Sequence, residues 1–315
     1  MLKKGSTKLK TIHIVSRTLP DAWYQALLAC WTQGQSFPTE YDKPGDPQSL
    51  DITVMIHVKK PMAEPRIHRC LPCGLDMLEK YRSELLYGVH DHWVDPKAGK
   101  WKCTYHQRYF QYDVPTLPPI DQIFGKNGVV EILKQTPHSR RAQIVTWQPW
   151  SDLNIVDPPC PQSLWFRCQK HPCLFCSGAT CEYCNGTGRI TCLHMTARMR
   201  SNDAYKAAFM DMFANIEIQR LVAKALNVKM GEYIHYADSF HIYGSYFKEV
   251  SKTLRTIATR KQEENTYTTA MAIPFFIDGC NDLLAEPDMP VDKKQLVQTR
   301  LQALIQGMQN GNLCV

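Results

Sequence analysis

Four cysteines set in two close pairs, Cys173-x2-Cys176 and Cys181-x2-Cys184, restrict this chain more than any other feature. Each pair can present two thiolates from one tight turn, and two such turns facing each other close a tetrahedral site for one zinc ion. Four soft ligands leave no coordination position open, so the expected metal is structural Zn2+ rather than catalytic. The first pair continues as Cys176-Ser-Gly178 and the second as Cys184-Asn-Gly186-Thr-Gly188, a short internal repeat whose glycines permit tight turns around a metal. Cys168, His171, Cys192 and His194 flank the pairs. They read as strand and turn residues, with a substitute ligand or a second site as the alternative.

Thiols spaced for metal rather than for disulfides belong in a reducing compartment, and the expected location is cytoplasmic. No apolar run approaches the roughly 18 to 20 residues of a membrane helix, and the basic start from Met1 to Lys10 is not followed by an apolar signal segment. No membrane association is therefore expected. The chain has 315 residues, long enough for one large domain or two ordinary ones, and its 44% hydrophobic and 21% charged residues suggest neither a disordered nor a fibrous class. A formal charge of +7 is spread along the sequence without a dense basic block. Nucleic acid is thus not the expected partner, whereas anionic small molecules suit a mild basic excess.

Periodicity gives an order of elements. Leu19 to Gln33 and Leu71 to Gly88 have helical patterns, and Leu50 to Val58 alternates as a strand. A Gly/Pro/Lys-rich passage at Asp95 to Lys100 and a proline cluster at Val114 to Pro119 read as loops shaping the mouth of a site. Ala142 to Trp147 and Cys192 to Arg198 are strand-like, Asp203 to Leu226 is a long helix with Phe209, Phe213, Ile216 and Leu221 on one face, and Tyr233 to Tyr243 is again a strand. Helices over Tyr246 to Arg260 and Val291 to Met308 close the chain. Such an order predicts an α+β fold with a mixed sheet and flanking helices.

Four blocks then stand in register: Ser139-Arg140-Arg141, Asp157-Pro158-Pro159-Cys160, Arg200-Ser201-Asn202-Asp203 and His241-Ile242-Tyr243. In order and residue type they resemble the defining blocks of the thymidylate synthase superfamily. The resemblance covers about Ser139 to Phe247. The first 138 residues are only loosely similar, and closer to archaeal-type members than to bacterial ones. Members with an ordinary hairpin join the Cys160 strand to the Arg200 strand by a tight turn. Here the segment 168–192 is a cysteine-rich insertion in a single catalytic domain spanning 1–315, and its second pair is similar, locally, to the zinc module of the DnaJ chaperones.

Chemistry accounts for these residue types as well. Carbon 5 of a pyrimidine is unreactive until a thiolate adds at carbon 6 and makes it nucleophilic, so Cys160 is the expected covalent catalyst. A nearby guanidinium such as Arg200 would favour its thiolate. Arg140, Arg141 and Arg200, with the Ser201 hydroxyl, suit a phosphate clamp, since guanidinium forks match phosphate oxygens. Taken singly, each has a plain alternative: an inert buried thiol, or solvated surface arginines.

The resemblance implies more. Arg140 and Arg141 would reach the phosphate site of the other subunit of a homodimer, and His241 and Tyr243 would bind the sugar hydroxyl. Asn202 and Asp203 would face the catalytic cavity and the folate. Glu84 resembles the glutamate that organises water and protonates the base, and Tyr105 the tyrosine that helps remove the carbon 5 proton. Trp93 would wall the folate site. Glu84 as a solvated helix face and Tyr105 as packing are the plain alternatives.

Asp211 is a departure. Counted without gaps from either neighbouring block, it falls where the family has an asparagine that reads the pyrimidine edge. An amide can accept from ring N3–H and donate to uracil O4, whereas an ionised carboxylate only accepts. Cytosine presents an exocyclic amine there, so Asp211 suits cytosine and can stabilise charge created by thiolate addition. A solvent-facing aspartate is the alternative. This substitution resembles the deoxycytidylate hydroxymethylases of bacteriophages. The implied reaction converts dCMP and 5,10-methylenetetrahydrofolate to 5-hydroxymethyl-dCMP. A dCMP methyltransferase, a CMP hydroxymethylase, a thymidylate synthase and a zinc-dependent nucleic-acid or protein-binding module are the rivals.

Overall fold

The computed structural model describes residues 9–176 and 179–310. Residues 1–8 of the basic start, and Gly178 of the cysteine repeat, lie outside them. The chain runs β1 (Thr11–Ser16), α1 (Leu19–Gln33), β2 (Gln35–Phe37), β3 (Ser49–Val58), β4 (Ile67–His68), α2 (Leu75–Tyr87), α3 (Tyr105–Phe110), β5 (Tyr112–Val114), β6 (Leu117–Ile120), α4 (Val129–Gln135), β7 (Gln143–Val145), α5 (Pro149–Asp152), β8 (Pro161–Pro172), β9 (Arg189–Asp203), α6 (Ala208–Ala225), β10 (Lys229–Ile242), α7 (Phe247–Thr259), β11 (Thr266–Tyr267), α8 (Thr269–Ala285) and α9 (Val291–Asn310).

A seven-stranded sheet in the order β1-β3-β10-β9-β8-β7, with β2 on β3, carries the fold. β1 and β3 are parallel, as are β9 and β10, and the remaining pairs along this path are antiparallel. The mixed sheet with flanking helices agrees with the expected class. Alternation decides which side is covered: Gly231, Tyr233, His235 and Ala237 of β10 are buried while Met230, Glu232, Ile234 and Tyr236 are half-buried. Helices α1 and α6 pack on the buried side, with α2 against α6 and α8 against α2. No helix among the described residues is long and apolar enough to cross a membrane.

Helix α6 is buried on nearly every side, as expected of a helix between a sheet and a second helical layer. Its polar positions meet charge. Glu217 accepts from Arg66 at 2.8 Å and from Arg220 at 2.8 Å, and lies 3.7 Å from Arg82 of α2. Arg82 also donates to Glu79 at 3.0 Å, and Glu79 accepts both a 2.9 Å and a 3.0 Å bond from Arg300 of α9. This buried network fixes α2 against α6 and α9, and so sets the spacing of the residues that α2 and α6 send towards the cavity.

Several expectations shift. The proline cluster forms the β5–β6 hairpin, with Pro118 and Pro119 in an exposed strand where missing N–H donors are tolerated. The long helix starts at Ala208 rather than Asp203, because the Asp203 carboxylate accepts from the N–H groups of Tyr205 and Lys206, both at 2.9 Å, and holds a turn there. The chain closes on α7, α8 and α9: helix α8, with Pro274 inside it, lies between the two expected ones.

Candidate active site

The ends of β9 and β10, the loop before β8 and residues of α2, α3 and α6 surround one cavity of about 450 Å3. The pairing of β8 with β9 brings Arg200 beside Cys160, whose carbonyl accepts from the Arg200 N–H at 2.9 Å. Arg200 Nε donates to Pro159 O at 3.2 Å and Nη2 to Pro158 O, and Pro159 O also accepts from Gln162 Nε2 at 3.1 Å. The guanidinium also lies 3.6 Å from the exposed Asp157. Arg200 therefore clamps the loop that presents the thiol.

Cys160, Arg200, Ser201, Asn202, Asp203, Asp211, His241, Tyr243, Glu84 and Tyr105 all line this cavity, as do Tyr41, Tyr81, Cys103 and Thr104. Arg140, Arg141 and Trp93 are not part of the lining, and neither are the passages 95–100 and 114–119 expected to shape the mouth. Arg140 and Arg141 are exposed. A larger cleft of about 570 Å3, lined by Arg17, His68 and Arg260 among others, holds none of the expected residues.

Burial pushes the Cys160 thiol up, and the Arg200 guanidinium and the Tyr105 hydrogen bond only partly offset this. The sequence expectation of a thiolate is met in the approach of Arg200, but burial outweighs it. Tyr105 reaches the thiol because Thr104 caps α3, accepting from Gln107 N–H at 3.1 Å while its hydroxyl donates to Asp91.

Asp211 is the centre of a buried polar chain. Tyr81 O–H donates to Oδ1, and Asn202 Nδ2 donates to Oδ2 at 2.7 Å. Asn202 Oδ1 accepts from His235 Nε2 at 2.8 Å, and His235 Nδ1 accepts from Tyr233 O–H at 2.9 Å. Burial pushes Asp211 up to about 6, with the bonds from Tyr81 and Asn202 holding it down. Burial alone lowers His235 to about 3, so its imidazole is neutral, consistent with one donor and one acceptor nitrogen.

Glu84 leaves α2 one turn after Tyr81. Its carboxylate meets His90 Nδ1 at 3.0 Å, and His90 Nε2 lies 3.5 Å from Glu286 at the end of α8. Burial works against the His90 charge, but the Glu84 bond and the two carboxylates outweigh it and raise its pKa. Trp93 stacks on this imidazole with 3.9 Å between ring centroids. Gly88 ends α2 at φ 65°, where a Cβ would come within 2.3 Å of Asp91 and His106, so only glycine turns the chain towards His90. The buried Nε2 of His241 has no hydrogen-bond partner among the described residues. Its ring sits edge-on to Tyr243 at 4.7 Å.

Sequence reasoning missed Tyr81 and His235. Tyr81 was findable, because three residues before Glu84 on a helix is the same face. His235 was not: a buried histidine in an alternating strand looks like core.

The cysteine pairs stand at the far end of the β8–β9 hairpin, beyond the last paired residues Pro172 and Arg189. Cys173 Sγ lies 3.8 Å from Cys181 Sγ, and Cys184 Sγ 3.7 Å from Cys176 Sγ. A zinc–sulfur bond of about 2.3 Å gives a tetrahedron edge of about 3.8 Å, so these spacings fit the metal. Cys173, Cys181 and Cys184 form the group among the described residues that can hold a metal ion. His171 and His194 are strand residues whose Nε2 atoms meet at 2.8 Å, outside that group.

Comparison with known proteins gives a consistent class. The thymidylate synthase family model matches residues 79–270, and the chain belongs to that family. A protein of Methanocaldococcus jannaschii described as "Putative thymidylate synthase" is 30% identical over 177 residues, which cover 55% of this chain and 65% of that protein, just under two thirds of its length. One of Methanosarcina acetivorans with the same description is 25% identical over 244 residues, covering 78% of this chain and 95% of that protein. Among solved structures, thermostable thymidylate synthase A from Bacillus subtilis aligns at a TM-score of 0.54 and 18% identity, over 76% of this chain and 84% of the other. That likeness concerns the fold.

Proposed function

We propose that this chain is a folate-dependent pyrimidine nucleotide C5 hydroxymethyltransferase that converts dCMP to 5-hydroxymethyl-dCMP through a Cys160–carbon 6 adduct. The observation that carries this reading is the Asp211 carboxylate, lining the same cavity as Cys160 and accepting from both of its protein partners. A carboxylate already oriented as an acceptor suits the cytosine amine and offers nothing to uracil O4.

In this reading Cys160 adds to carbon 6 after giving up its proton, and Asp211 stabilises the charge that develops on the ring. Tyr105, hydrogen-bonded to the thiol, is assigned to help remove the carbon 5 proton. Glu84, held by His90, orders water and serves proton transfer to and from the base. 5,10-Methylenetetrahydrofolate would supply the one-carbon unit to carbon 5 and leave as tetrahydrofolate as the carbon 5 proton is lost. Water then adds to the one-carbon unit left on the ring to complete the hydroxymethyl group, and Cys160 leaves carbon 6. Arg200 and Ser201 are assigned to the phosphate, and His241, whose Nε2 is unpartnered, and Tyr243 to the sugar hydroxyl. Asn202 holds Asp211, and Asp203 faces the folate side.

The exposed Arg140 and Arg141, away from their own cavity, suit a homodimer in which each pair completes the partner's phosphate site. The half-covered sheet face, with Val15 and Met55 exposed, offers a surface for that second copy. We assign Cys173, Cys176, Cys181 and Cys184 to one structural zinc. Trp93, stacked on His90, is assigned to the outer wall of the folate site.

A second reading, methyl transfer giving 5-methyl-dCMP and dihydrofolate, is favoured by the family, since relatives are described as thymidylate synthases. It keeps every residue above in place and changes only the last step. Cys160→Ala tests the shared chemistry. Turnover is expected to vanish while nucleotide affinity persists; a variant indistinguishable from the parent would mean that the chain is a binding module.

A further inference from the structure

We infer that Tyr81 is a specificity-determining residue: its hydroxyl keeps Asp211 an acceptor towards the base, and so excludes uracil nucleotides. This rests on the reading of Asp211 as the residue that meets the pyrimidine edge.

The two oxygens of Asp211 have different partners. Oδ2 accepts from Asn202 Nδ2, and that amide is held by His235, itself held by Tyr233. Placing a proton on Oδ2 would require the amide, the imidazole tautomer and the Tyr233 hydroxyl to turn round together, all in the core. A proton on Oδ1 requires only that one hydroxyl rotate, that of Tyr81. A phenol can both donate and accept, which neither an amide nitrogen nor an imidazole N–H can do. Tyr81 therefore governs the protonation of Asp211 in two ways. As a donor it favours the carboxylate. As an acceptor it holds the carboxyl proton away from the base.

Without that hydroxyl both controls are lost. A buried carboxyl with one donor fewer becomes neutral at higher pH. Its Oδ1 proton is then free to turn into the cavity that Tyr81 and Asp211 both line. A neutral carboxyl presenting one donor and one acceptor has the hydrogen-bonding pattern of an amide, the pattern that uracil needs. The other groups facing Asp211 push the same way or are neutral at working pH. Asp203 and Glu84 oppose its charge. Tyr105, Tyr109, Tyr233 and Cys160 are protonated, because burial raises each of them. Among the described residues, the groups whose bonds hold the Asp211 carboxylate are Tyr81 and Asn202.

The test is the ratio of kcat/KM for dCMP over dUMP, measured from pH 5 to 9 for the parent, Tyr81→Phe and Asp211→Asn. For Tyr81→Phe the ratio at pH 7 should fall about tenfold or more, through a gain with dUMP as well as a loss with dCMP, and should recover towards pH 9. Replacing Tyr81 by 3-fluorotyrosine, whose hydroxyl is a stronger donor, should move the loss of discrimination to lower pH than in the parent. A ratio and pH profile unchanged by either replacement, while Asp211→Asn still shifts preference to dUMP, would overturn the role of Tyr81 alone. If Asp211→Asn leaves the preference untouched, the base-reading role of Asp211 fails and the inference falls with it. An equal loss with both nucleotides at every pH would assign Tyr81 to packing and also overturn the inference.

Discussion

The guanidinium of Arg200 donates to the carbonyl oxygens of both prolines that precede Cys160, at 3.2 Å to Pro159 and in a closer contact to Pro158. It is at once the clamp of the nucleophile's loop and the cation that lowers the thiol's pKa against burial. Arg200→Lys keeps the charge but not the fork, and charge-assisted bonds are worth about 1.5–3 kcal/mol each, so kcat/KM should fall about tenfold to a hundredfold. Arg200→Gln removes the charge, and the pH midpoint for alkylation of Cys160 should move up. A midpoint unchanged in Arg200→Gln would contradict the electrostatic role.

The buried Asp211 carboxylate weighs on the stability of the fold. Its folded pKa, pushed by burial to about 6, stands above the value of an unfolded aspartate. A raised carboxyl stabilises the fold at low pH, and that contribution is lost as pH rises through about 6. At pH 8 the ionised group costs on the order of 3 kcal/mol by the same linkage. Asp211→Asn, whose carbonyl can face Asn202 and whose amide can face the Tyr81 oxygen, should therefore gain stability relative to the parent at pH 8 and little at pH 4. Urea midpoints at the two pH values check this, and an equal change at both would refute it.

The Glu217 network should behave in the opposite sense. Burial opposes the charge of Glu217, but Arg66, Arg220 and Arg82 outweigh it and hold the carboxyl below its usual range. A depressed carboxyl contributes stability above its unfolded pKa, lost as pH falls towards the folded value. Glu217→Gln leaves buried guanidinium groups without their anion and should cost about 3–5 kcal/mol. Because this network joins α2 to α6, the variant should also weaken turnover in whatever fraction stays folded. Thermal melts from pH 4 to 8 should show the deficit narrowing at the acid end.

Much of this could be read from residue order. Strand β3, helix α1 and the body of α6 follow from periodicity, although α6 is buried well beyond the one apolar face that its pattern shows, and the blocks around Cys160 and Arg200 line one cavity. What escaped depends on tertiary partners. Strand β1 is an edge strand of six residues, too short to stand out although its exposure alternates along its length. Helix α8 is interrupted in sequence by Pro274, which reads as a break, yet Thr268 caps its start and burial of Phe276 and Cys280 holds its body together. The start of α6 was misplaced because the side chain of Asp203 competes for the backbone. His235 escaped because nothing local distinguishes a relay histidine from a core one.

The cysteine pairs are expected to hold about one zinc per chain, measured on protein purified without added metal. Cys181→Ser should lower the metal content and loosen the tip of the hairpin, detected as faster amide exchange over 173–188. With the nucleophile far along β8, the cavity should keep its nucleotide affinity. Metal-free protein whose tip is already protected from exchange would refute the zinc site.

The most direct test of the account is mass spectrometry of the products formed from dCMP, CMP and dUMP, each supplied with 5,10-methylenetetrahydrofolate. The account predicts a hydroxymethyl group on the cytosine nucleotide, none on dUMP, and no product from Cys160→Ala. A methyl group on dCMP would retain Cys160 and Asp211 in their roles and replace the final step; turnover of dUMP in preference to dCMP, or product formed without Cys160, would contradict the central claim.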